Sequence, residues 1–248
     1  MIKQFFLFLQ TVKHDNDKKI IKMAKKQEDV ALQERQERVQ ETISRTDQFF
    51  RDNKKTIYGI LIALLVIGLA IVAFYKFYYQ PKKAEAQEQM FPAEAAFRNG
   101  EFDLALNGDG NNLGFAQIAS QYGNKAGKSV YLYAGSCELN LGNYESALDY
   151  LKKYSGKDEI LAARALGAQG DAYVGLEKYN EAVSCFEKAA AKVDNMFSAN
   201  YLLKAGVAYE EMGNTAKALE AYKKIREQYP QSLEGYDIDK YISRLETE

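Results

Sequence analysis

Histidine occurs once in this chain of 248 residues, as His14, and tryptophan not at all. One imidazole near the amino terminus gives no nucleophile–base pair for a folded domain. Glycine-rich phosphate loops and metal-ligand spacings are missing too. Asn107, Asp109 and Asn111 alternate like the start of a calcium loop, but the sixth and twelfth places hold Asn112 and Ile118 instead of Gly and Glu, so a plain turn is expected. With no catalytic set, the chain is expected to be no enzyme and to use no cofactor or metal.

Proline is scarce, at three residues, which suits a mostly helical chain. Cysteine is limited to Cys137 and Cys185. They fall on different helices of different repeats, and two packed thiols or, in an oxidising compartment, a bond are the readings open to them. A basic surface is also missing from the larger part: residues 80–248 hold 19 Lys and Arg against 25 Asp and Glu. Nucleic-acid binding needs cations to neutralise phosphates, so it is excluded as a partner class. Residues 1–55 are mildly basic, with 13 against 9.

Ile57–Tyr75 reads IYGILIALLVIGLAIVAFY, nineteen residues without a charge. As a helix it would be roughly 28 Å long, the thickness of a bilayer's hydrocarbon core. It shows no polar stripe, so one spanning helix at 56–79 is expected. Tyr58 stands at one end and Phe74, Tyr75, Phe77, Tyr78 and Tyr79 crowd the other, like an aromatic belt. Pro81 is expected to break the helix. Five cations precede the segment within twenty residues and three follow, which favours a cytoplasmic amino terminus. No small-residue cleavage site follows the run, so an uncleaved signal-anchor is expected. Residues 1–22, with the short apolar patch FFLFL (Phe5–Leu9), read as a disordered tail or a mis-called extension before Met23, and 23–55 as a charged cytoplasmic helix that either leads into the membrane or docks a partner.

LGNYESALDYLKKY (Leu141–Tyr154) returns as LEKYNEAVSCFEKA (Leu176–Ala189) and again as MGNTAKALEAYKKI (Met212–Ile225). Ala147, Ala182 and Ala218 align, as do Gly135, Gly170 and Gly206 upstream and Leu151, Phe186 and Tyr222 downstream. Small residues at paired places let two antiparallel helices approach, and large ones fill the join. Gly142 and Gly213 mark the turns between helices. The spacing resembles the tetratricopeptide repeat (TPR), with units at about 128–161, 163–197 and 199–232. Unit one departs from the pattern, with Glu138 and Leu151 where aromatics are usual. A degenerate unit is expected at 83–123, around Gly100, Phe102 and Ala105, and a terminal helix at 235–247, since Ile238, Tyr241, Ile242 and Leu245 form one stripe. The TPR domain thus covers 83–248, and the fold class is an all-α, helical-hairpin solenoid with one amino-terminal transmembrane helix.

The resemblance implies a groove lined by the first helix of each unit. Its residues here would be Ser129, Leu132, Ser136, Leu139 and Asn140, then Arg164, Asp171 and Val174, then Asn200, Leu203, Val207 and Glu210. The Lys and Asn pattern that clamps a peptide carboxylate in chaperone-binding members is absent. Such a groove suits an apolar helix or extended segment of a partner protein. Equally, its Leu and Val residues could pack against neighbouring helices. One anchor followed by an extracytoplasmic array resembles the YfgM-type ancillary subunit of the bacterial Sec translocon. That implies a scaffold or chaperone-like adaptor on the periplasmic side of the inner membrane. An envelope or outer-membrane assembly scaffold, and a transmembrane regulator with the cytoplasmic helix as output, stay open beside it.

Overall fold

The computed structural model describes residues 32–33, 35–40 and 48–247. Residues 1–22, with FFLFL and His14, lie outside the described residues, as does most of the 23–55 segment. The chain divides into two compact units, Met1–Val72 and Ala73–Glu248.

In the first unit the main described element is α1, Lys54–Phe74, none of whose residues is buried. Among the described residues one helix is long and apolar enough to cross a membrane, and it contains this sequence, with a mean hydropathy of 2.9 over 18 residues. Leu, Ile and Val stand exposed all round it.

The second unit is helical throughout, and among the described residues the only extended pairing is an isolated bridge between Gly108 and Leu113. A π-helical turn, Tyr75–Tyr79, leads into α2, Gln80–Arg98. Pro81 does not break this run. It lies in the first turn of α2, and the Gln80 N–H reaches back to the Tyr75 carbonyl, closing the wider turn of a π-helix. A proline at a helix start removes no bond that the helix needs, and the widened turn makes room for its ring.

Next come α3, Phe102–Asn107, and α4, Phe115–Tyr122, with the turn Gly108–Gly114 between them. A 3₁₀ turn, Gly123–Ala126, follows. Then three hairpins run in order: α5 (Ser129–Asn140) with α6 (Tyr144–Leu151), α7 (Glu159–Gly175) with α8 (Tyr179–Val193), and α9 (Ser198–Glu211) with α10 (Thr215–Gln228). The last helix, α11 (Leu233–Thr247), packs on α9 and α10 through Ile238, Ile242 and Leu245.

One device closes every hairpin turn. The N–H of Glu101, Asn143, Lys178 and Asn214 each bonds the carbonyl five residues back, at 3.0, 2.9, 2.9 and 2.8 Å. This closure needs a left-handed residue just before the donor. Gly100, Gly142 and Gly213 supply it, with φ of 80, 82 and 70°. In the second hairpin the place falls to Glu177, with φ 58°.

Small residues bring the helices of each pair together. A Cβ built on Gly135, Gly170 or Gly206 would meet Leu151, Phe186 or Tyr222 at 2.6, 2.4 or 2.2 Å. Those three large side chains are essentially fully buried. The apolar faces form three clusters along the array, each joining residues of neighbouring hairpins. No hairpin could bury such a face alone; stacking does it.

Candidate protein-binding site

The first helices of the repeats carry the groove positions that the repeat pattern singles out. In α5, Leu132 is buried in the core, Leu139 packs against it half-buried, Ser129 and Ser136 are half-buried, and Asn140 is exposed. Leu203 of α9 is half-buried against the last cluster. These leucines pack against neighbouring helices. Arg164 and Val174 of α7 and Asn200 and Val207 of α9 are exposed.

Polar contacts bridge this face from one repeat to the next. Lys204 Nζ donates to Asp171 Oδ2 at 2.7 Å, Asn200 Nδ2 donates to Glu234 Oε1 at 2.9 Å, and Arg244 Nη2 donates to Glu210 Oε1 at 2.8 Å. The partners lie 33, 34 and 34 residues apart, so each bond joins nearly equivalent places in successive units. The Tyr201 ring fills the space beside Gly167, 2.4 Å from where a Cβ would stand. Burial raises the Tyr201 hydroxyl above its usual range, with Asp171 adding to the shift and Arg164 opposing it. Glu210 also accepts from the Tyr222 hydroxyl, which burial and this bond hold protonated far into alkali. These contacts tie up Asp171 and Glu210, while Val174 and Val207 stay exposed on the same face.

A further open apolar surface lies at the starts of α7, α9 and α11. A cleft of about 520 Å³ is lined there by Ile160, Val193, Met196, Phe197, Tyr201 and Leu233, with Arg164, Asn200 and Glu234 as its polar members. Ile160 is 50% exposed, Met196 and Phe197 57% each, and Leu233 83%. A soluble protein seldom leaves so many large apolar side chains together in water without a use for them.

Two locked turns hold these side chains out. Asp194 ends α8 with φ 37°. Beyond it, Ser198 Oγ donates to the Ala190 carbonyl at 2.9 Å and accepts from the Asn195 N–H at 3.1 Å, while Asn195 Oδ1 accepts from the Phe197 N–H at 2.9 Å. In the next turn Ser232 Oγ donates to the Tyr229 carbonyl at 2.7 Å and accepts from the Gly235 N–H at 3.0 Å. Tyr229 in turn donates its hydroxyl to Asp194 Oδ1 at 2.8 Å, tying one turn to the other. Ser198 and Ser232 are the buried polar residues among those described, one in each turn. Fully bonded buried hydroxyls fix a single loop geometry, so the cleft is preformed.

Sequence patterning picked out Arg164 and Asn200 but missed the apolar lining. Met196, Phe197 and Leu233 flank helix starts, where an apolar residue reads as a staple onto its own helix. The repeated Ser at 198 and 232, one repeat period apart, was the available signal.

Other chemistry-bearing groups lie elsewhere. Cys137 and Cys185 are both buried and free. Burial pushes the Cys137 thiol up to about 12 and raises Cys185 as well, so neither is a thiolate near neutrality. The Asn107–Asn112 loop folds on Asp109, whose carboxylate accepts from the Asn111 and Asn112 N–H groups at 2.9 and 2.6 Å; those bonds lower its pKa. It is a turn built on an aspartate side chain.

Comparison with known proteins agrees with this architecture. Tetratricopeptide repeat models match residues 129–157, 163–191 and 201–232. A crystal structure of MamA protein superposes with a TM-score of 0.52 at 22% identity, covering 66% of this chain and 84% of that one. A second MamA structure covers 62% of this chain and 92% of its own, at 22% identity and a TM-score of 0.47. No curated protein matches the sequence. Between residues 129 and 232 the chain consists of tetratricopeptide repeats, stacked as an all-helical solenoid.

Proposed function

We propose that this protein is a non-catalytic, membrane-anchored scaffold whose repeats bind an apolar segment of another protein. The cleft of Ile160, Met196, Phe197 and Leu233 is the observation that carries the reading. It is preformed, one-sided and large enough for a few side chains of a helix or strand. The anchor is α1, fitted to a bilayer by its length and its lack of charge. The balance of flanking cations supports a cytoplasmic amino terminus and repeats on the periplasmic side of a bacterial inner membrane. The resemblance in layout to the YfgM-type subunit supports work near the Sec translocon. Tethering confines the cleft to two dimensions and raises its effective concentration for clients that leave the membrane.

The test uses the full chain in cells, with a photo-crosslinking benzoylphenylalanine at position 197 and, as control, at exposed position 227 on α10. Crosslinks to translocon subunits or emerging chains from 197 alone are expected. Crosslinks to wall or outer-membrane assembly proteins instead would move the scaffold to that machinery. Equal crosslinking from both positions would remove the cleft from the function.

A further inference from the structure

The repeat-bearing unit is acidic, yet its beginning is basic. Lys76, Lys82 and Lys83 occur before its first carboxylate, Glu85. Here the π-helical turn stacks Phe74 on Tyr78 and Tyr75 on Tyr79, with ring centroids 5.0 and 5.3 Å apart, and leaves Phe77 exposed. A fourth lysine comes from far along the chain: the 3₁₀ turn Gly123–Ala126 places Lys125 Nζ 5.0 Å from the Tyr78 ring centroid. Glu85 is already committed, accepting from Lys82 Nζ and from the Tyr122 hydroxyl at 2.8 Å each. No ion pair among the described residues engages Lys76, Lys83 or Lys125.

We propose that Lys76 within the Tyr75–Tyr79 turn, Lys125 on the Tyr78 ring and Lys83 in the first turn of α2 bind the phosphate groups of anionic phospholipids, holding the 3₁₀ turn of the first helical layer at the bilayer surface. The proposal rests on α1 being a membrane anchor. Tyrosine rings favour the headgroup layer, where one edge is apolar and the other wet. Lysines beside them can lay their stems along the rings and lift their ammonium groups to phosphate. The collar follows directly on the uncharged Ile57–Tyr75 run, and exposed Phe77 belongs in the same layer; an acidic protein partner would use the lysines but leave these rings in water. Each lysine near an anionic surface strengthens attraction about fivefold. With the turn seated, the repeats would be held in one attitude to the membrane instead of swinging on a single helix.

The test reconstitutes the full chain, with Asn124→Cys carrying a nitroxide, in nanodiscs of phosphatidylcholine alone or with about one third phosphatidylglycerol. Asn124 is exposed and both native cysteines are buried, so the label goes to the new thiol. In anionic discs the label should be at least about threefold less accessible to a polar relaxation agent than in neutral discs, and high salt should remove the difference. Lys76→Gln, Lys83→Gln and Lys125→Gln together should abolish it, and the three Lys→Arg changes should retain it, with helix content unchanged in both. Equal accessibility in the two discs, or a difference that survives the Gln changes, overturns the proposal while leaving the anchor intact. A chain that washes out of both discs overturns the anchor and this proposal with it.

Discussion

Helix α1 and the repeat helices are both rich in apolar residues, but they distribute them in opposite ways. In α1 no face is polar and no residue is buried. In the repeats the buried side chains recur on one face, and alanine and glycine hold the closest approaches. The first pattern is satisfied by a surrounding apolar medium, the second only by a copy of itself. Hydrophobicity alone does not separate the two cases; its angular spread around the helix does.

The strongest way to break this contrast is to charge α1. Leu65→Arg with Ile67→Arg should cost about 6 kcal/mol of insertion, from roughly 3 for each arginine at a bilayer centre. The expected outcome is a chain released from membranes by alkaline carbonate, with the thermal transition of the repeats unmoved. If the repeats lost stability too, α1 would be serving as a core helix. The converse change acts on the repeats alone. Phe186→Ala should cost about 4 kcal/mol in urea unfolding. Phe186 is buried against the backbone beside Gly170, where a partner cannot move in to fill the hole. Membrane retention should not change.

Alkali sharpens the same contrast, because it reaches hydroxyls in the array. Tyr209 donates to Glu187 Oε1 at 2.7 Å, and burial together with that bond pushes its pKa up to about 12 from 10.0. Below pH 10 both folded and unfolded chains keep the proton and stability is flat. Between 10 and 12 the unfolded chain releases it first, so stability falls, by at most about 1.4 kcal/mol per pH unit for this one group. Tyr209→Phe should flatten that part of a urea-midpoint profile from pH 9 to 11.5. An unchanged profile would mean that the hydroxyl is not held protonated by the fold. A smaller effect is expected at the turns. Glu177 occupies the left-handed place that Gly100, Gly142 and Gly213 take elsewhere. Glu177→Gly should raise stability by about 1 kcal/mol, since the side chain strains that backbone region. A loss instead would show that the Glu177 side chain contributes more than its backbone costs.

Much of the array was legible because each repeat tests the others. The alignment of Gly135, Gly170 and Gly206 with Leu151, Phe186 and Tyr222, 16 places on, names the residues that meet in the structure. The hairpin turns were legible at Gly142 and Gly213 and hidden at Glu177, where no residue type marks the positive φ. Pro81 misled because its usual effect was cancelled by a π-helical turn, which has no sequence signature. The cleft was hidden for a different reason. Apolar residues are expected to face inward, and here the bonds of the buried Ser198 and Ser232 hydroxyls, with those of Asn195 and Tyr229, lock the turns that carry Met196, Phe197 and Leu233. The bridging pairs escaped because charge complementarity 33 or 34 residues apart is not a repeat of like residues, and unit one has no member of the set.

Those bridges carry the smallest effect. Lys204 and Asp171 meet at 2.7 Å, but their side chains are 38 and 31% exposed, so water screens the pair. Lys204→Met should cost under about 1 kcal/mol, and less again at 0.5 M salt. Its ammonium also stands 5.9 Å from the centroid of the Phe186 ring, and methionine keeps an apolar stem while removing the charge. Comparing the loss at low and high salt therefore separates the ionic part from the packing part. A salt-independent loss would assign Lys204 to the packing of one hairpin on the next. A loss that vanishes with salt would leave the bridge as a purely ionic link between successive repeats. In that case partner binding at the cleft should survive Lys204→Met even though the bridge is gone.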